Sequence, residues 1–366
     1  MRFAPARRVS LFGTKFMYRK KTKKIAVNGL YIGGNESVKI QSMCTTKTSD
    51  IEATCAQIGR LEDAGCEIIR VSVLDEEDAR AVKYIKNQIN IPLVADIHFS
   101  SRLAITAIEN GADKVRINPG NIGGEDKVKL VADCIKAHKI PVRVGVNTGS
   151  VEKEILAKYG KTDAALVESA LHSVSLLEKH GVNDIVISVK ASSVPLTVEA
   201  YRLLSKRTDY PLHIGVTEAG TEDMAVVKSS AALGALLLDG IGDTIRVSIT
   251  DDPVKEVYAA MRLLRAVGLD NNYVDVISCP TCGRCEWNSM ELAKKVSAYV
   301  EKYRAPLKIA VMGCVVNGPG EARDCDIGIA GAKDSCVIFK GGEIVRKVSA
   351  KDAEEEFFKE IDAYLK

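Results

Sequence analysis

The chain has 366 residues, 46% hydrophobic and 27% charged, a balance that describes a globular protein with an ample core. No apolar run approaches the roughly 20 residues of a membrane-spanning helix. The net charge of +3 leaves no domain-wide basic field for nucleic acid, because Arg2, Arg7, Arg8 and Lys15 near the N-terminus more than account for it.

Ten cysteines with no apolar leader ahead of them fit a reducing, cytoplasmic setting in which thiols stay free for metals. Residues 1–18 read as a basic extension, either a disordered tail or an upstream start ahead of Met17. Next, Ile25-Ala26-Val27 and Tyr31-Ile32-Gly33-Gly34 suit a short hairpin covering one end of the region C-terminal to it. Short β-rich runs then alternate with amphipathic helical stretches. The runs fall at 38–43, 68–73, 93–96, 114–117, 142–147, 185–189, 212–216 and 244–247. Helices are expected from Asp50, Glu76 and Ser101, from near Glu125, through one long region ending at His180, then from near Pro195, from Asp223 and from Val254. These eight strand–helix units end near Gly268, and eight is the closure number of a (β/α)8 barrel of about 250 residues. An open doubly wound sheet is the competing architecture, but it has no need of eight such even units. The expected fold class is α/β: an N-terminal (β/α)8 TIM barrel over 19–268 that could hold a substrate, then a smaller α+β domain over 269–366.

In the smaller domain, strands are expected at 274–278, 309–312, 327–330, 336–339 and 344–348, with helices over about 290–303 and from Asp352. The run Cys279-Pro280-Thr281-Cys282-Gly283-Arg284-Cys285 follows the first strand, and Cys314 with Asn317-Gly318-Pro319-Gly320-Glu321 follows the second. Two thiols separated by two residues face one centre from a single turn, and a thiol from another segment closes the site, which suits a metal or an iron–sulfur cluster. Cys285 adds a third local thiol and moves the balance from zinc toward iron–sulfur without settling the ligand set. A zinc knuckle and a redox dithiol stay as alternatives. Cys55, Cys66 and Cys134 sit on or beside apolar helical faces and read as small buried hydrophobes.

Polar groups crowd the ends of the barrel runs: Arg70, Asp96 and His98, Arg116, Arg143 and Asn147, Lys190, Thr217 and Glu218, and Arg246. In a barrel these C-terminal strand ends form the active-site mouth. Three or four arginines and a lysine converging there repel one another unless an anion fills the mouth, and guanidinium forks match diphosphate oxygens bidentately. The competing account pairs each arginine with a carboxylate such as Asp96 or Asp243. Gly-rich turns at 118–124 and 147–150 offer backbone N–H groups to the same anion.

With both halves in view, the chain from Arg19 onward resembles the (E)-4-hydroxy-3-methylbut-2-enyl diphosphate synthases of the methylerythritol phosphate route to isoprenoids. The blocks that carry the resemblance are Gln41-Ser42-Met43, Ala95-Asp96-Ile97-His98-Phe99, Arg116-Ile117-Asn118-Pro119-Gly120-Asn121, Val189-Lys190-Ala191-Ser192, Gly215-Val216-Thr217-Glu218-Ala219-Gly220, Cys279-Pro280-Thr281-Cys282-Gly283-Arg284 and Asn317-Gly318-Pro319-Gly320-Glu321. The resemblance implies a [4Fe–4S] cluster held by Cys279, Cys282, Cys314 and Glu321, with the carboxylate as the displaceable ligand. It implies reductive opening and dehydration of 2-C-methylerythritol 2,4-cyclodiphosphate, with Arg70, Arg116, Arg143 and Lys190 on the diphosphate, His98 and Asn147 adding hydrogen bonds, and Glu218 handling a proton or a substrate hydroxyl. It also implies ferredoxin or flavodoxin as electron donor and a homodimer in which one subunit's cluster domain covers its partner's barrel mouth. Cys44, Cys285 and Cys325 depart from the implied ligand set. Two other classes compete with the enzyme: an electron relay with a ferredoxin-like appendage, and a zinc-stabilised hydrolase or phosphate-binding barrel.

Overall fold

The computed structural model describes residues 19–280, 282–314, 320 and 322–365; the N-terminal extension and Glu321 lie outside the described residues. The chain divides into two compact units between Leu269 and Asp270.

The first unit opens with an antiparallel hairpin, β1 (Ile25–Val27) and β2 (Leu30–Ile32). Its apolar side chains Val27, Leu30 and Ile32 pack on Ile68 and Val94, which lie near the starts of two barrel strands, so the hairpin closes the N-terminal end of the barrel. Eight parallel strands follow: β3 (Lys39–Met43), β4 (Ile68–Ser72), β5 (Leu93–Asp96), β6 (Lys114–Ile117), β7 (Val142–Asn147), β8 (Ile185–Lys190), β9 (His213–Ile214) and β10 (Thr244–Ile245). Their order is β8-β7-β6-β5-β4-β3-β10-β9, and a parallel bridge between Ile187 and Leu212 brings the two ends together. The barrel expected from the sequence is therefore present, with every expected run matched by a strand.

The helices of the outer ring are α1 (Ile51–Asp63), α2 (Glu76–Lys86), α3 (Ser101–Glu109), α4 (Glu125–His138), α5 (Lys153–Tyr159), α6 (Asp163–Lys179), α7 (Val194–Arg207), α8 (Glu222–Leu238) and α9 (Pro253–Ala266). Their starts are encoded locally, since the side chains of Asp50, Asp75, Ser100, Thr162, Ser193 and Asp252 each accept a hydrogen bond from a first-turn backbone N–H. One expectation is corrected. The long helical region up to His180 is a 3-10 turn at Thr148–Ser150 followed by two helices, because Gly160 at φ +66° ends α5 and Thr162 caps α6.

The second unit is a five-stranded sheet in the order β11 (Val274–Ser278), β12 (Leu307–Met312), β13 (Ile327–Gly331), β14 (Ser335–Lys340), β15 (Glu343–Ser349). Its first three strands are parallel and its last three antiparallel. Helices α10 (Ser289–Val300) and α11 (Ala353–Leu365) bury Val296, Phe357 and Ile361 against Ile309, Ile327, Ile329 and Ile338. Among the described residues no helix is long and apolar enough to cross a membrane.

Candidate active site

Barrel interiors are ordinarily filled by layers of branched aliphatic side chains. Here the inward positions near the C-terminal strand ends carry charge. Parallel register sets Asp96 of β5 beside Arg116 of β6, and Arg116 beside Arg143 of β7, while Asn147 of β7 pairs with Lys190 of β8. A cavity of about 220 Å³ opens among them, and Arg70, His98, Arg116, Arg143, Asn147 and Lys190 all line it. Met43, Asp96, Ser188, Thr217, Arg246 and Ser248 complete most of the wall. Glu218 is not part of the lining; its side chain is exposed and its backbone sits at φ +54°, a left-handed conformation that is rare for a non-glycine residue.

The cations outnumber their counter-charges. Arg116 Nη1 lies 3.1 Å and Arg70 Nε 3.5 Å from opposite oxygens of Asp96. Burial would raise the Asp96 carboxyl, but Arg70, the His98 hydrogen bond and Arg116 together hold it well below the usual carboxylate range. Arg246 Nη2 pairs with Glu256 at 3.2 Å. Arg143, 1% exposed, donates to the side-chain Oε1 of Gln41 at 3.3 Å, and no carboxylate pairs with it among the described residues. Asp243 is engaged elsewhere, with Arg19 at 3.2 Å. Among the described residues the carboxylate-pairing account thus holds for Arg70, Arg116 and Arg246 but not for Arg143 or Lys190. Burial lowers Arg70 to about 10, and burial with the neighbouring guanidinium groups holds Arg143 well below its ordinary value. A cavity with this imbalance favours an anion, whose charge removes the mutual repulsion.

Sequence reasoning left Arg246 out of the named substrate contacts and gave Lys114 no role. Arg246 stands in the mouth, and Lys114 lies deeper on β6, fully buried and pushed down to about 7 by burial, Arg143 and Arg70. The alternation Lys114-x-Arg116 on one short strand was the available signal.

Two glycines make room for this packing. A Cβ on Gly145 would lie 2.6 Å from Arg116 Nε, and one on Gly215 would lie 2.7 Å from Lys190 Nζ and 2.8 Å from the Arg246 carbonyl oxygen. Gly215→Ala is expected to weaken substrate capture, read as kcat/KM, by about 100-fold, since the backbone oxygen cannot yield and Lys190 must move. Wild-type kcat/KM in this variant would contradict the packing.

In the second unit the cysteines collect at the C-terminal ends of adjacent parallel strands, where open α/β sheets bind ligands. Ser278 of β11 pairs with Val311 of β12, so Cys279 and Gly313-Cys314 leave the sheet side by side. The Gly313 N–H donates to Cys279 Sγ at 3.0 Å, which fixes this sulfur at the strand end. A turn closed by Cys285 N–H to the Cys282 carbonyl at 2.9 Å carries the exposed Cys282. A Cβ on Gly313 would lie 3.0 Å from Cys285 Sγ and 3.3 Å from Cys279 Sγ, so Gly313 keeps a thiol-lined recess open. Among the described residues no three His, Cys, Asp or Glu side chains already close into a metal cage. The donor set, soft thiolates at paired strand ends, nevertheless fits a thiolate-held iron–sulfur cluster. Cys285 is tied down differently, donating its thiol to the Trp287 carbonyl at 3.2 Å beside the Ser289 hydroxyl. Cys325 and Cys44 are buried, and burial pushes their thiols up to about 11 and about 12. Cys66 is buried as expected, whereas Cys55 and Cys134 are half-buried.

Family models match almost all of the described chain: the GcpE TIM-barrel domain over residues 22–261 and the GcpE protein C-terminal domain over 275–363. The chain belongs to the GcpE family. A relative from Caldanaerobacter subterraneus subsp. tengcongensis is 57% identical, covering 95% of this chain and 98% of its own, and is named 4-hydroxy-3-methylbut-2-en-1-yl diphosphate synthase (flavodoxin). Relatives of the same name from Anoxybacillus flavithermus and Bacillus velezensis are each 54% identical, covering 95% of this chain and 96% and 93% of their own. The barrel is also similar to a dihydropteroate synthase from Stenotrophomonas maltophilia at TM-score 0.50 and 14% identity, covering 67% of this chain and 98% of that one, a likeness of fold alone.

Proposed function

We propose that this GcpE-family chain is an iron–sulfur oxidoreductase that opens 2-C-methylerythritol 2,4-cyclodiphosphate by two-electron reduction and dehydration, giving (E)-4-hydroxy-3-methylbut-2-enyl diphosphate for isoprenoid synthesis. The observation that carries this assignment is the buried cation excess around the 220 Å³ cavity, in a chain 57% identical to a named synthase.

The barrel residues bind and orient. Arg143 and Lys190, without carboxylate partners among the described residues, take diphosphate oxygens, while Arg70 and Arg116 reach them from the rigid platform of Asp96. His98, which meets Arg116 Nη1 at 3.1 Å, and Asn147 at the rim add hydrogen bonds. Glu218, on the exposed loop beside Thr217, exchanges a proton or holds a substrate hydroxyl. Cys279, Cys282, Cys314 and Glu321 would hold a [4Fe–4S] cluster, the carboxylate being the ligand most readily displaced. Such a cluster, when bound, supplies electrons and a Lewis-acidic iron for the C–O bond that breaks. Flavodoxin, which the relatives' name carries, is the proposed electron donor, with ferredoxin as the alternative.

The runner-up is an electron relay, which has no use for a substrate cavity. Anaerobic electron paramagnetic resonance of the reduced, reconstituted protein separates the two: the enzyme's signal shifts on adding the cyclodiphosphate, and an unchanged signal favours the relay. The homodimer with composite sites is tested by mixing Arg143→Met with Cys314→Ser subunits. Sites built from two subunits recover about a quarter of wild-type activity by random pairing, whereas sites contained in one subunit recover none.

A further inference from the structure

Lys190 differs from the other cations of the mouth in what it touches. Its Nζ lies 3.2 Å from Nε2 of His213, whose Nδ1 is 2.8 Å from the Thr244 hydroxyl; all three residues are buried. The Tyr201 hydroxyl donates to the His213 carbonyl at 2.6 Å and pins that strand. Gly215 gives the amine its place, and the near approach there leaves it little room to swing away. The charged groups that face Lys190 are Arg143 on β7, Arg70 on β4, Arg246 just after β10 and Arg116 on β6, and Lys114 faces His213 from β6. Of the acids in this array, Asp96 is already shared by two arginines and Glu256 is paired with Arg246. Burial first, then these guanidinium groups, pushes Lys190 well below the ordinary lysine value, and burial with Lys190 and Arg143 lowers His213 in the same way.

We propose that substrate binding at this site is proton-coupled through Lys190: without an anion its amine rests neutral on His213, and the arrival of a diphosphate draws one proton from solvent onto Nζ. This rests on the diphosphate assignment above and adds a proton to it. The proton passes from water to Nζ, and no bond to carbon or phosphorus changes. Ring opening frees a phosphate oxygen and so adds negative charge, which a lysine already loaded on substrate entry meets without a further transfer. His213 is a positioning residue in this scheme, holding the amine by an uncharged acceptor where a carboxylate would keep it permanently protonated.

Sulfate is a suitable probe because it does not itself titrate near neutrality. Its dissociation constant is measured by calorimetry on the reconstituted holoenzyme from about pH 6.5 to 9.5. Uptake of one proton makes binding weaken by about 10-fold per pH unit wherever the free amine is neutral and the anion-bound amine charged. Lys190→Met is expected to bind more weakly and to lose this slope, while His98→Asn and Lys114→Met keep it. A pH-independent constant in the wild type overturns the proposal, as does a slope that survives in Lys190→Met or disappears in Lys114→Met. Absence of sulfate and inorganic diphosphate binding at every pH would instead remove the anion site itself, and with it both assignments.

Discussion

Serine in place of Cys279, Cys282 or Cys314 is expected to leave the anaerobically reconstituted protein without stoichiometric iron and sulfide and to bring turnover to background, whereas Cys285→Ser and Cys325→Ser keep both. The contrast comes from how each sulfur is held. Cys279 and Cys314 leave neighbouring strand ends, and Cys279 already accepts the Gly313 N–H. Cys282 is exposed on the tight turn between Cys279 and Cys285. Cys325 is 2% exposed with its thiol pushed up to about 11, so binding iron would require deprotonating a group whose surroundings disfavour the thiolate. Cys285 spends its S–H on the Trp287 carbonyl and serves the turn. Iron and sulfide analysis with the visible spectrum checks the set; a cluster that survives Cys314→Ser but not Cys285→Ser would reverse the assignment.

Asp96→Asn is expected to destabilise the barrel by about 3 kcal/mol, because it strips two buried guanidinium groups of their shared counter-charge. The sign of the accompanying pH effect is fixed. The folded-state carboxyl lies below its unfolded value, so its stabilisation is fully present above about pH 4 and is lost as pH falls further, toward the folded value. The variant should therefore have a lower denaturation midpoint at neutral pH and a shallower acid limb than the wild type. It should also gain more stability from sulfate, since the anion replaces the missing charge. Equal midpoints at pH 7 would contradict the ion-pair platform.

Much of the barrel was legible because its signals are local. Strands 93–96, 114–117 and 142–147 were bounded by polar residues and matched as expected, and capping side chains such as Asp50 and Ser100 marked helix starts. The break at Gly160 was also written in Gly160-Lys161-Thr162 but was masked by apolar periodicity continuing on both sides of it. The six mouth residues could be gathered because in a parallel barrel every strand's C-terminal end faces the same way. Partner choice was not legible. Asp96 serving both Arg70 and Arg116, Glu256 reaching Arg246 from α9, and His213 meeting Lys190 depend on register between strands, which no local pattern carries. Lys114 was missed for a related reason: a lysine in a short strand reads as a solvent-facing residue until closure of the barrel turns that face inward.

The most direct test is turnover. Anaerobically reconstituted protein, given 2-C-methylerythritol 2,4-cyclodiphosphate and a chemical reductant, is predicted to release the open-chain hydroxymethylbutenyl diphosphate with two electrons consumed per product. Consumption of reductant without product, by a protein holding its full complement of iron and sulfide, would contradict the account.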